Sequence, residues 1–352
     1  MSTSLTPPLI AAALSVMPAP GKTDAEIKLL PHAPDERGFA GAFAGTHGHF
    51  LVAGGGANFP DGKMPWDGGT KVWHDKLFSL DLSKPDGQWR EIGHLPTANG
   101  YGVSLTIQEG ILLIGGGNAE QNFREVHLLS LDDDVNPTFR PLPLLPEALA
   151  QMCGAVIGRK VHLCGGILKP DATTASAKHW VLDLDAMEKG WKEQEALPGA
   201  GRILATAAAA DDAFFVAGGC ALAPDEQGKP KRTYLRDAWM FKDGHWTQLA
   251  DLPRGAVGAA SPAPVADGSI FIVSGDDGSQ IGLKTPADHK GFSKDILRYQ
   301  PSSGTWTQAG ELTLPAPVTL AVAPWQDGII FFNGEIRPGI RTNQVFFFRP
   351  GH

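Results

Sequence analysis

The sequence predicts an all-β fold, a β-propeller of six four-stranded sheets arranged in a ring. Three observations predict it. Five segments repeat one pattern, and a sixth follows it in part: a small-residue strand, a tight turn, an apolar run ending in Gly, a variable loop, an apolar strand, then an aromatic strand closing on Leu-Pro or similar. The glycine ends fall near residues 55, 116, 166, 219, 275 and 334. The sixth segment stops before its aromatic strand, and a stretch near the N-terminus reads as the missing piece.

The copies are taken in order. The first is GFAGAFAGTHGHFLVAGGG, then KLFSLDL, then QWREIGHLP; the second is GYGVSLTIQEGILLIGGG, EVHLLSL and TFRPLPLLP. The third is CGAVIGRKVHLCGG, HWVLDL and GWKEQEALP; the fourth is ATAAAADDAFFVAGG, DAWMF and HWTQLADLP. The fifth is GAASPAPVADGSIFIVSGDD, DILRY and TWTQAGELTLP; the sixth, TLAVAPWQDGIIFFNGE then QVFFFR, ends there. β-branched, aromatic and small residues bounded by Gly and Pro favour strands over helices. The glycine spacing of about 50 to 60 residues is that of the kelch class of propeller repeat. EIKLLPHAP, residues 26–34, resembles WREIGHLP and WTQLADLP with the Trp lost. It is expected to complete the sixth blade, pairing an edge that would otherwise stay open. One propeller over residues 25–350 is therefore expected, preceded by residues 1–24 as a flexible N-terminal extension or signal remnant.

Composition excludes several classes. Charged residues are 19% and hydrophobic residues 42%, as in a soluble globular protein. The 43 Gly and 28 Pro show no short period, so collagen is excluded. A net charge of −8 argues against nucleic acid or an anionic membrane as the main partner. No apolar run reaches the roughly 18 residues of a membrane-spanning helix. The three cysteines, Cys153, Cys164 and Cys220, form no C-x-x-C pair and read as small core residues or free thiols.

Propeller geometry gathers the candidate site. With strands A to D counted outward from the axis, the start of A, the B–C loop and the end of D share one face. Glu335, Arg337 and Arg341 lie in the sixth B–C loop, where the other copies carry glycine. Arg37, Asn99, Tyr101, Gln151, Arg202 and Arg254 lead into other A strands and are expected to meet them across the central opening. An acid with several arginines at a rigid mouth suits an anionic small molecule.

Three stretches carry a family resemblance: NGEIRPGIRTN at 333–343, GFAGAFAG followed by LVAGGG at 38–56, and YGVSLTIQEGILLIGGG at 101–117. The chain resembles the N-acetylneuraminate epimerases, the sialic acid mutarotases, which are six-bladed kelch propellers. The blade bearing NGE comes last, which resembles the cyclically permuted subgroup of that family. The resemblance implies that Glu335 is the acid–base glutamate and that Arg341, the family arginine six residues on, is a second catalytic residue, which anchors the substrate carboxylate or lowers the barrier electrostatically. Arg202 resembles an arginine leading into another strand, and Asn99 stands where some relatives have arginine. It implies a small anionic sugar as substrate and no metal, nucleotide or redox cofactor. The family works in the periplasm; the N-terminus here lacks a clear signal, which leaves periplasm and cytoplasm both open, and oligomeric state is unread.

Blander readings stand beside these. Glu335 and Arg341 could be an ion pair that ties down a loop, and Arg337 a solvated loop residue. Arg202 and Arg254 could pair with neighbouring carboxylates. Trp89, Trp191, Trp246 and Trp306 recur at one repeat position and read as blade-packing aromatics. His47, His49, His74 and His94 lack metal-ligand spacing. A sialidase would carry Ser-x-Asp-x-Gly-x-x-Trp repeats, which are absent. A copper oxidase is poorly served by three tyrosines. A non-catalytic kelch propeller that binds a protein partner or an anionic sugar is the alternative. The long B–C loops at 56–74 and 220–236 would favour an enzyme if they cover the mouth.

Overall fold

The computed structural model describes residues 25–351. The expected extension over residues 1–24 lies outside the described residues. Six four-stranded antiparallel sheets form the blades of a propeller. Blade one consists of Phe43–His47, Phe50–Gly54, Lys76–Asp81 and Arg90–His94. Blade six takes three strands from the C-terminal segment, Ala321–Trp325, Gly328–Phe332 and Val345–Arg349. Its fourth is Glu26–Leu29, in register Glu26↔Arg349 through Leu29↔Phe346. The closing strand expected from residues 26–34 is thus in place. The pairing continues beyond the strand, where the Leu30 and Ala33 amides donate to the Val345 and Asn343 carbonyls at 2.9 and 2.8 Å.

Blades are bolted together at their rims and at the axis. The recurrent D-strand tryptophans donate their indole N–H to a carbonyl at the end of the preceding blade. Trp89 reaches Pro31 at 2.8 Å, Trp191 Pro143 at 3.0 Å, Trp246 Glu195 and Trp306 Ala250 each at 2.8 Å. Burying the ring while satisfying its one donor is what a partly buried Trp requires.

At the axis, one residue per blade adopts a left-handed backbone: Gly41, Tyr101, Gln151, Leu204, Gly258 and Thr319, with φ between 51° and 67°. Each amide donates to the carbonyl of the ring residue in the preceding blade, from Tyr101 to Gly41 (2.7 Å) round to Gly41 to Thr319 (2.7 Å). Six hydrogen bonds thus close a circle around the axis on the mouth side. Immediately before this circle, Ala40, Gly100, Ala150, Ile203, Val257 and Val318 each bridge to one residue after the glycine end of their own blade: Ala57, Gly117, Ile167, Cys220, Asp276 and Glu335. Glu335 therefore occupies a position repeated six times around the mouth.

The Gly-Gly ends have a backbone cause. Both residues of every pair have positive φ: 55/56, 115/116, 165/166, 218/219, then Ser274/Gly275 and Asn333/Gly334. Asn visits this region more readily than other non-glycine residues, which fits Asn333. The second position tolerates no side chain: a Cβ on Gly334 would sit 2.7 Å from the Val318 carbonyl oxygen.

Candidate functional site

Glu335 is held by its backbone before its side chain is considered. Its amide and carbonyl both bond Val318, at 2.8 and 2.9 Å, one residue from Thr319 of the axial circle. A short hairpin, Glu335–Arg337 with Ile340–Arg341, places Glu335 directly opposite Arg341. Antiparallel partners share a face, and the two side chains meet: Arg341 Nη1 lies 3.1 Å from Glu335 Oε2. Arg341 also donates Nη1 to the Gly339 carbonyl at 2.5 Å and stacks over Phe59, 4.6 Å from its ring centre. Its side chain is 6% exposed and that of Glu335 21%.

Both residues line a cavity of about 460 Å³ at the mouth. Tyr101, Gln151, Leu204 and Thr319 of the axial circle form its floor, and Lys71, Trp73, Asn122 and Arg232 are among its walls. The size lies within the range of small-molecule pockets. Burial pushes the Glu335 carboxyl above the ordinary glutamate value, although Arg341, the Gly339 amide, Lys71 and Arg232 all pull it down. Loss of hydration therefore outweighs four favourable groups. The result is a carboxyl with raised proton affinity, facing open space and surrounded by cations. A larger cleft of about 710 Å³ lies between blades three and four, among the A–B and C–D turns that face away from the mouth. Arg159 in it is already paired, with Glu109 and Asp185.

The structure brings together Glu335, Arg341, Tyr101 and Gln151, and leaves other candidates outside the cavity. Arg202 is buried among protein groups, bidentate to Asp237 at 2.9 and 2.7 Å. It also donates to the Gly218 carbonyl at 3.1 Å. Asn99 donates to Gly115 at 2.8 Å, and Arg254 to Ser274 at 2.9 Å. All three do one job. They satisfy the carbonyl of the first residue in their own blade's left-handed pair, a group turned out of the sheet ladder by its positive φ. The expectation that they meet Glu335 across the opening is corrected on this ground, and Arg202 and Arg254 follow the carboxylate-pairing alternative (Arg254 Nε is 3.5 Å from Asp295). Arg37 is exposed and bonds the Pro60 carbonyl at 2.9 Å. Arg337 pairs with Ile340 in the hairpin and does not line the cavity.

Lys71 and Arg232 were not among the expected site residues. They sit in the two long B–C loops, each of which folds into a hairpin: Ala57–Asn58 with Val72–Trp73, and Cys220–Pro224 with Pro230–Tyr234. The sixth blade carries a shorter B–C hairpin, the one that holds Glu335 and Arg341. The length of the two long loops was the only signal available.

Comparison with known proteins bears out the family resemblance. Residues 22–136 match the family model N-acetylneuraminate epimerase. Among curated proteins, the N-acetylneuraminate epimerase of Haemophilus influenzae (strain 86-028NP) is 29% identical over 230 residues, 58% of each chain. That of Salmonella enteritidis PT4 (strain P125109) is 37% identical over 102 residues, 26% of each chain. The aligned region thus spans less than two thirds of these relatives' length. A solved structure, "Structure of YjhT", matches 91% of this chain and 97% of its own with a TM-score of 0.67 at 18% identity, and shares the fold.

Proposed function

We propose that this protein is an isomerase that interconverts the α and β anomers of N-acetylneuraminate, with Glu335 as the acid–base group. The observation that carries the reading is Glu335 itself: a mostly buried carboxyl of raised proton affinity, fixed at the axial circle and facing a cation-lined cavity. The names of the similar proteins support the same substrate.

Anomer exchange asks little of a catalyst. The carboxylate takes the proton of the anomeric hydroxyl, the bond from the anomeric carbon to the ring oxygen breaks, and Glu335 delivers the proton to that oxygen. The open keto form rotates, and the same steps in reverse close the ring from the other face. Protons balance without a cofactor. One positioned acid–base group contributes about 10²–10⁴-fold, enough for a reaction whose ring already opens slowly in water. Arg341 acts as a positioning residue. Its contact fixes one Glu335 oxygen and leaves the other for the sugar, and its charge steadies the anionic oxygen as the ring opens.

The test is exchange between anomeric NMR signals of N-acetylneuraminate at equilibrium. Wild type is expected to accelerate it, and Glu335→Gln to lose about 10²-fold or more of that acceleration. A Gln variant as fast as wild type removes Glu335 from the chemistry. Wild type without acceleration removes the isomerase reading and leaves a propeller that binds without turnover.

A further inference from the structure

Arg341 is the obvious partner for a sugar carboxylate, but its Nη1 is already engaged, while its buried Nε has no hydrogen-bond partner among the described residues. Its Nη1 serves both Glu335 and the Gly339 carbonyl, and its guanidinium carbon lies over the Phe59 ring. An incoming carboxylate that captured this Nη1 would compete with the base itself.

Two other cations in the cavity are uncommitted. Lys71 and Arg232 have no carboxylate within 4 Å among the described residues. The Lys71 ammonium is fixed by aromatic faces instead, 4.2 Å from the ring centre of Tyr101 and 4.7 Å from that of Trp73. Aromatic faces orient a cation without neutralising it. Tyr101 is itself locked into the axial circle, so the ammonium is held over a rigid floor. Arg232 comes from the other long hairpin and keeps an exposed guanidinium at the cavity wall.

We propose that Lys71 and Arg232 form the seat for the substrate's carboxylate, and that this seat selects sugar acids over neutral sugars. Both cations act on Glu335 across the same cavity. A carboxylate between them therefore sits beside the base, as a substrate with its carboxylate on the anomeric carbon requires. Seating it also cancels part of the cations' pull on Glu335 and strengthens the base at the moment the substrate is present. The two groups come from separate hairpins, so the seat is built by the loops and not by the repeat. Identifying the acid as N-acetylneuraminate rests on the function proposed above; the seat does not.

The experiment compares N-acetylneuraminate with its C1 methyl ester, which keeps the anomeric hydroxyl and removes the charge. Binding is measured by calorimetry and exchange by NMR, for wild type, Lys71→Met, Arg232→Met and the double variant. Lys63→Met, on the same hairpin but outside the cavity, is the control, and thermal melting checks that each variant folds. Wild type is expected to bind the acid at least tenfold more tightly than the ester, and each single variant to lose about tenfold on the acid alone. The double variant is expected to bind both alike, with the concentration for half-maximal exchange raised more than the maximal rate is lowered. Wild type that binds acid and ester equally, or that binds neither, overturns the seat. So does a double variant that still prefers the acid. Preference for the acid without any exchange upholds the seat while removing the isomerase reading.

Discussion

At the scale of single residues, the site turns on how two effects on Glu335 balance. Burial raises its proton affinity, and Arg341 is the largest of the groups that oppose this. A carboxyl whose folded value lies above its unfolded one binds its proton more tightly when folded. The ionised form is then a cost to stability above that folded value, and the cost vanishes below the unfolded one. As a base, Glu335 fails when pH falls through the raised value. The exchange rate above the spontaneous background should therefore drop on the acid side with a midpoint above about 4.3, the ordinary glutamate value. Arg341→Met should move that midpoint further up, and Lys71→Met should move it up by less, following the order of their pull. An acid limb at the ordinary value, or one unmoved by Arg341→Met, would contradict the assignment of base and positioning residue. The Glu335–Arg341 juxtaposition was legible in NGEIRPGIRTN because six residues around a tight turn bring the pair face to face. Lys71 was not, because nothing in its neighbours signals that Tyr101, 30 positions later, will carry it.

At the scale of elements, the strands were readable from repeat spacing, and the aim of the residues between them was not. Asn99, Arg202 and Arg254 lie where propeller geometry places mouth residues, yet each turns back to a carbonyl beside a left-handed pair. A sequence shows the glycines of that pair but not the carbonyl they strand. Arg202 is the costliest to disturb. Burial opposes ionisation of Asp237, but the Arg202 fork and the Trp239 N–H (2.7 Å) outweigh it and hold the carboxyl below its usual range. Its contribution to stability is present above the unfolded aspartate value, about 3.9, and is lost as pH falls through the lower folded one. Asp237→Ala leaves a fully buried guanidinium unpaired and is expected to cost about 3–5 kcal/mol in chemical denaturation at neutral pH. Adding Arg202→Met should recover part of that loss, since the stranded charge goes with it. A single variant that is as stable as wild type would mean that water or a neighbouring group replaces Asp237.

At the scale of the whole molecule, the axial circle and the closing strand address the same problem at opposite radii. Six short hydrogen bonds fix the blades around the axis, but the ring still has one seam, between Glu26–Leu29 and Val345–Arg349. This seam was legible because the missing fourth strand and its donor share one aromatic-strand pattern; the circle was not, since its members (Gly, Tyr, Gln, Leu, Gly and Thr) share a backbone conformation and no side-chain chemistry. The seam is apolar as well as hydrogen-bonded. Ile27 packs with Phe331, Phe346 and Phe348, and Leu30 packs in the cluster that joins blades six and one. Ile27→Asp with Leu30→Asp puts two charges where those contacts were and should release the strand. The loss of two half-buried aliphatic contacts and about four ladder bonds comes to on the order of 5 kcal/mol. The freed edge would be VFFFR, apolar and β-prone, an edge that pairs with other chains. The expected result is a lower denaturation midpoint together with concentration-dependent association in light scattering. Aspartates at Lys28 and Leu29, which are exposed and belong to neither cluster, should leave both readings near wild type. If the inward pair were equally harmless, the axial circle alone would be holding the ring closed.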